Sequence, residues 1–83
     1  MSRLLEYIQD NAFRITYLNS RLNVVNYTKI NYLEDHKISV SYREGILVIK
    51  GQDLRIQKLL DNEILVVGKI ENIEFKGMSY EHE

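Results

Sequence analysis

Two stretches of this chain alternate apolar residues up to a glycine and then resume the alternation one position out of step. Leu47-Val-Ile-Lys-Gly51 is followed by Leu54-Arg-Ile56, and Ile64-Leu-Val-Val-Gly68 by Ile70 and then Ile73-Glu-Phe75. A period of two is the signature of a β-strand, whose successive side chains point to opposite faces. A change of parity at glycine marks a bulge, a sharp bend or a two-residue turn, because glycine takes positive φ at little cost. Leu22-Asn-Val-Val-Asn26 repeats the pattern with asparagine, the next most tolerant residue, in glycine's place. Gly51 and Gly68 are therefore expected to be structural. The echo suits bent antiparallel strands or the stacked rungs of a β-solenoid.

The rest of the chain supports strands. It has no proline and a single alanine, Ala12, and is rich in Ile, Val and Tyr. Strands are expected at Ile15–Leu18, Leu22–Tyr27, Ile30–Leu33, Ile38–Tyr42, Ile46–Lys50, Leu54–Leu59, Ile64–Val67 and Ile70–Phe75, with breaks at Asn19-Ser20, Thr28-Lys29, Glu34–Lys37 and Asp61-Asn62. In Ile38–Tyr42 the two serines, Ser39 and Ser41, form a wet face opposite Ile38, Val40 and Tyr42. Arg43-Glu44-Gly45 reads as a three-residue hairpin loop with Gly45, the third structural glycine, at the left-handed position. Connections this short join antiparallel neighbours, since a parallel crossover needs a dozen residues or more. Ser2–Asp10 reads differently: Ser2 can cap a helix, and Leu4, Leu5 and Ile8 share one helical face. The expected fold is all-β: a bent antiparallel meander forming a small sandwich or partly open barrel, with a short N-terminal helix. A β-solenoid-like stack is the alternative. One domain spans 1–83, with the helix at 1–10, the β region at 14–76 and a tail at 77–83.

Composition narrows the function more by exclusion than by assignment. At 83 residues there is room for one modest core. With 45% hydrophobic and 28% charged residues the chain is globular rather than disordered. A net charge of −1 without a basic run argues against nucleic acid as the partner. The absence of cysteine removes disulfides, thiol nucleophiles and thiolate metal sites together, and fits a cytoplasmic protein. The first ten residues do not read as a signal peptide, and the longest apolar runs, Ile46–Ile49 and Ile64–Val67, are too short to span a bilayer. His36, in a turn, and His82, near the C-terminus, have no convergent ligands or partners. No serine sits in a nucleophile elbow, and no glycine-rich loop cradles phosphate. The chain therefore reads as a non-enzyme without cofactor or metal.

Two surface features remain. Ile46–Ile49 and Ile64–Val67 are apolar on both faces, so one side of each strand needs a cover beyond a single core. Ile46, Val48, Ile64 and Val66 are the expected interface residues, pointing to a homo-oligomer or a bound partner. Arg43, Lys50, Arg55 and Lys58 are a candidate basic patch, open to a lipid or RNA reading.

The stretch from Arg14 to Phe75 resembles the YabP/YqfC family of sporulation proteins, and most of all its YqfC branch. Arg14-Ile-Thr looks like the family's first strand. Ile38-Ser-Val with Gly45-Ile-Leu-Val-Ile-Lys-Gly51-Gln-Asp-Leu54-Arg-Ile56 resembles its central signature, and Glu63-Ile-Leu-Val-Val-Gly68-Lys-Ile70-Glu-Asn-Ile73-Glu-Phe75 its closing segment. The chain is divergent: its N-terminal lead is short and lacks the usual proline, and Val25-Asn26-Tyr27 stands where the family has a Glu-Asn-His-like segment. The resemblance implies a non-catalytic assembly or adaptor factor in spore coat or cortex formation. It also implies a membrane partner of the YqfD or YabQ type and a place in the mother-cell cytoplasm, with recruitment to the forespore membrane. A self-assembling β scaffold and a lipid- or RNA-binding module are the alternatives.

Overall fold

The computed structural model describes residues 12–77, so the helix expected over Ser2–Asp10, His82 and most of the tail lie outside the described residues. Six strands follow one another: β1 (Arg14–Leu18), β2 (Arg21–Val25), β3 (Lys29–Glu34), β4 (Lys37–Tyr42), β5 (Gly45–Leu59) and β6 (Glu63–Gly77). All pairings are antiparallel, in one sheet of order β1-β2-β6-β5-β4-β3. The solenoid alternative, which stacks parallel rungs, is not what forms. From β3 to β6 the chain is a meander, as expected. The β1–β2 hairpin departs from it by pairing β2 with β6 rather than with β3.

The glycines do not divide strands. The two segments expected on either side of Gly51 form one strand of fifteen residues, and so do those around Gly68. Parity changes inside the β5–β6 ladder instead, at register shifts between Lys50 and Gly51, between Gln52 and Arg55, and between Ile56 and Lys58. Bulges bend and twist a ladder without ending it. Here they let Leu47 and Ile49 share a face with Leu54, although the sequence separations are odd.

The cause differs from glycine to glycine. Gly68 has φ of 124°, and a Cβ there would overlap the Asp53 carbonyl oxygen. Gly51 is not left-handed; it is needed because a Cβ would strike the Lys69 carbonyl oxygen across the ladder. The positive φ in that bulge, 55°, belongs to Asp53, a residue type that tolerates it. Gly45 is likewise not left-handed. It pairs with Tyr42 across a two-residue turn, Arg43-Glu44. Asn26 does take the conformation its place in the pattern suggests, with φ of 70°. Asn19 and Ser20, at 55° and 62°, make the two-residue β1–β2 turn, where positive φ matches strand twist.

The bend folds the sheet over itself. Phe13 adjoins β1, which lies four strand positions from β4, about 19 Å away in a flat sheet. Yet the Phe13 and Tyr42 rings stack with centroids 3.9 Å apart. Ile30 pairs with Val40, which pairs with Leu47, and Leu59 lies twelve residues further along β5, about 40 Å in a flat sheet. Ile30 and Leu59 nevertheless line one cleft. The result is a sandwich of two half-sheets. One consists of β1, β2, the first part of β6 and the last part of β5; the other of β3, β4, the first part of β5 and the last part of β6. The β3–β4 turn is tied to the bend by Gly51 N–H donating to the His36 carbonyl (3.1 Å) and Leu54 N–H to the Asp35 carbonyl (2.8 Å).

The core lies between the half-sheets. Leu22 and Val24 of β2, Ile64 and Val66 of β6, Ile38 and Val40 of β4, and Leu47 and Ile49 of β5 are all 0% exposed, and Leu54 closes the cluster at the bend. Each such burial is worth about 1.5–3 kcal/mol relative to exposure. Ser39, expected on a wet face, is instead buried at 8% beside Val48, which is 5% exposed on the outer side of its half-sheet.

Because the bend depends on backbone contacts no Cβ can share, Gly51→Ala and Gly68→Ala are each expected to lower stability by about 2 kcal/mol or more in urea unfolding. Midpoints unchanged in both variants would contradict the bend.

Candidate interaction surfaces

Strand register assigns each sequence-predicted site residue to a side. Ile64 and Val66 pair with Val24 and Leu22 and sit wholly inside the core, so they are not surface residues. The outward side of that segment carries Leu65 and Val67, both half-buried. Ile46 and Val48 do point outward. Val48 is already covered within the row Tyr32, Ser39, Val48, Glu74, and Ile46 is half-buried. The cover that the sequence demands for β5 is thus largely supplied by the chain's own neighbouring side chains.

The four predicted basic residues do not converge. Arg43 is in the β4–β5 turn and Lys50 faces out of the β3/β4 half-sheet beside Lys37. Arg55 and Lys58 lie beyond the bend on the outer face of the other half-sheet, opposite Val67 and Leu65. The register adds two cations there that the sequence reading missed. Arg21 pairs with Val67 on the side away from Arg55, and Arg14 pairs with Val25. Their outward direction was legible from the alternation with Ile15, Leu22 and Val24; their proximity to Arg55 and Lys58 was not, because it depends on β2 pairing with β6.

One carboxylate interrupts this face. Glu63 Oε2 accepts a hydrogen bond from Asn23 Nδ2 (2.8 Å) and lies 3.6 Å from Lys58 Nζ. The Asn23 bond holds the Glu63 carboxyl below its ordinary value; burial opposes it to a lesser degree, and the Lys58 charge adds a smaller lowering. Most other acidic residues of the described chain are at turns and at the bend: Asp35, Glu44, Asp53, Asp61 and Glu71.

The long strands also leave backbone edges open. β2 pairs with β6 only over Glu63–Val67 and β4 with β5 only over Gly45–Lys50. Among the described residues, the last part of β6 therefore has a partner on one side only, and so does the last part of β5. Along the β6 edge runs a shallow cleft of about 250 Å3 lined by Tyr17, Ile70, Glu71, Asn72 and Ile73. Tyr17 (50% exposed) and Phe75 (56%) stand out from the inner side of their strands near it. A second cleft, between the half-sheets, is lined by Tyr27, Thr28, Ile30, Leu59, Leu60 and Asp61. Its wall is fixed by Tyr27 Oη donating to the Leu60 carbonyl (3.0 Å) and Asn26 N–H to the Asn62 carbonyl.

Among the described residues no group of three or more His, Cys, Asp or Glu side chains could hold a metal ion. His36 is exposed in the β3–β4 turn, with Nδ1 3.3 Å from Asp35 and 3.6 Å from Glu34. No helix of the described residues is long and apolar enough to cross a membrane.

The depressed Glu63 carboxyl stabilises the fold above the ordinary carboxylate range, and that contribution is lost as pH falls through the folded-state value. In an NMR titration Glu63 is expected to have a low midpoint that rises in Asn23→Ala; equal midpoints in the two proteins would contradict the assignment.

The family model named the YabP family matches residues 13–82, a span that contains all six strands. No curated protein and no solved structure matches the chain significantly.

Proposed function

The chain belongs to the YabP family, a sporulation-associated family, and from that premise we propose that it is a non-catalytic assembly or adaptor factor in spore coat or cortex formation. It acts in the mother-cell cytoplasm, is recruited to the forespore membrane, and works with a membrane protein of the YqfD or YabQ type or with copies of itself. The observation that carries the adaptor reading is the half-paired β6 strand. A strand with one open edge offers backbone donors and acceptors in a row, and an extended segment of a partner can add to it. Tyr17, Ile73 and Phe75 beside that edge supply the side-chain contacts that select a sequence. The clefts are shallow and open, which suits a protein segment better than an enclosed small molecule.

Deleting the gene in the organism that encodes it is expected to lower the count of heat-resistant spores. A copy carrying Phe75→Lys should fail to restore it, while Leu33→Lys, an exposed change on the opposite edge strand, restores it. Normal sporulation in the deletion strain would remove the proposed role, and full rescue by Phe75→Lys would remove the β6 edge as its site.

A further inference from the structure

We propose that the outer face of the β1/β2 half-sheet is a docking surface for an anionic lipid bilayer. In strand register this face reads Leu18, Arg21, Val67, Arg55 in one row, Thr16, Asn23, Leu65, Lys58 in the next, and Arg14, Val25, Glu63 in the third. Among the described residues, four cations therefore share the face with one carboxylate, and that carboxylate is already satisfied by Asn23 and Lys58. The chain as a whole carries 11 cations and 12 acidic residues, so its net charge of −1 conceals this local excess.

The kind of partner follows from the side chains between the charges. Four paired strands make a face whose outer strands lie about 14 Å apart, which fits a planar surface. Three of the four cations are arginines, whose guanidinium groups bind phosphate in a bidentate way and hydrate weakly. Arg21 and Arg55 flank Val67 in strand register, and Val67 is half-buried on an outward position. Leu18, 66% exposed at the rim, is an aliphatic side chain placed to enter the headgroup region. Nucleic acid fits less well. Single strands are held by aromatic platforms, and every aromatic of the described residues lies elsewhere: Tyr17 and Phe75 on inner sides, Tyr32 on the other half-sheet. The other outer face is also rich in lysine, with Lys29, Lys37, Lys50 and Lys76, but Glu34 and Glu74 divide it and it has no arginine. It therefore serves as the internal control.

This inference does not rest on the sporulation role or on the β6 edge, and it is tested without either. The purified protein is sedimented with phosphatidylcholine vesicles with or without phosphatidylglycerol, at low and high salt. Binding is expected only with phosphatidylglycerol and is weakened by salt. Arg21→Glu with Arg55→Glu should reduce the bound fraction at least about tenfold, because each cation near an anionic membrane contributes severalfold to partitioning. Lys37→Glu with Lys50→Glu should bind within about a factor of three of the parent. The milder pair Arg21→Gln with Arg55→Gln, checked by its urea midpoint, gives an intermediate loss without charge reversal. Equal binding to both vesicle types, no binding to either, or the same loss in both glutamate pairs would overturn the proposal. So would tighter binding to single-stranded RNA than to phosphatidylglycerol vesicles.

Discussion

Everything in this fold depends on the close backbone approach between the two long strands at their bend. Gly51 lies against Lys69, and Gly68 against Asp53 and Leu54, at distances no Cβ would permit. An antiparallel pair of fifteen-residue strands would otherwise run straight and leave one apolar face in water. Three register shifts within that pair turn it through a corner. The corner lets a single sheet of six strands act as two layers. A chain of 83 residues with no described helix thereby obtains a closed core from strands alone.

The same corner distributes the surfaces. Each long strand is paired on both sides over only part of its length, because β2 and β4 join different half-sheets. The open edges and the shallow clefts beside them are consequences of the bend. The two outer faces, turned away from each other, carry different chemistry: arginines around aliphatic residues on one, and lysines and carboxylates around a covered Val48 on the other. If the proposed lipid-docking face and the β6 edge both operate, one small domain holds a membrane and a partner at once.

Much of the strand pattern was legible in the sequence because alternation is a local property. Ile38, Val40 and Tyr42 lie on the inner side as their spacing requires, and the parity changes near Gly51 and Gly68 are real. What the sequence could not decide was which side of Ile64–Val67 faces inward, since Ile64 with Val66 and Leu65 with Val67 are equally apolar. Pairing with β2, forty or more residues earlier for these pairs, settles it by placing Ile64 against Val24 and Val66 against Leu22. The same long-range pairing builds the arginine face, with members at positions 14, 21, 55 and 58 that have no sequence signature in common. The left-handed residue of the first bulge was misassigned for a related reason. A glycine signals either positive φ or a close contact, and at Gly51 it is the contact.

The central claim is that one sheet folds onto itself, and the Phe13–Tyr42 stack reports on it directly. In a flat sheet the two rings belong to strands about 19 Å apart, whereas in the folded sheet their centroids are 3.9 Å apart and their planes within 9° of parallel. Nuclear Overhauser measurements on the protein in solution should therefore give strong contacts between the Phe13 and Tyr42 ring protons. A fully assigned spectrum with the six-strand pairing intact and no contact between those rings would contradict it.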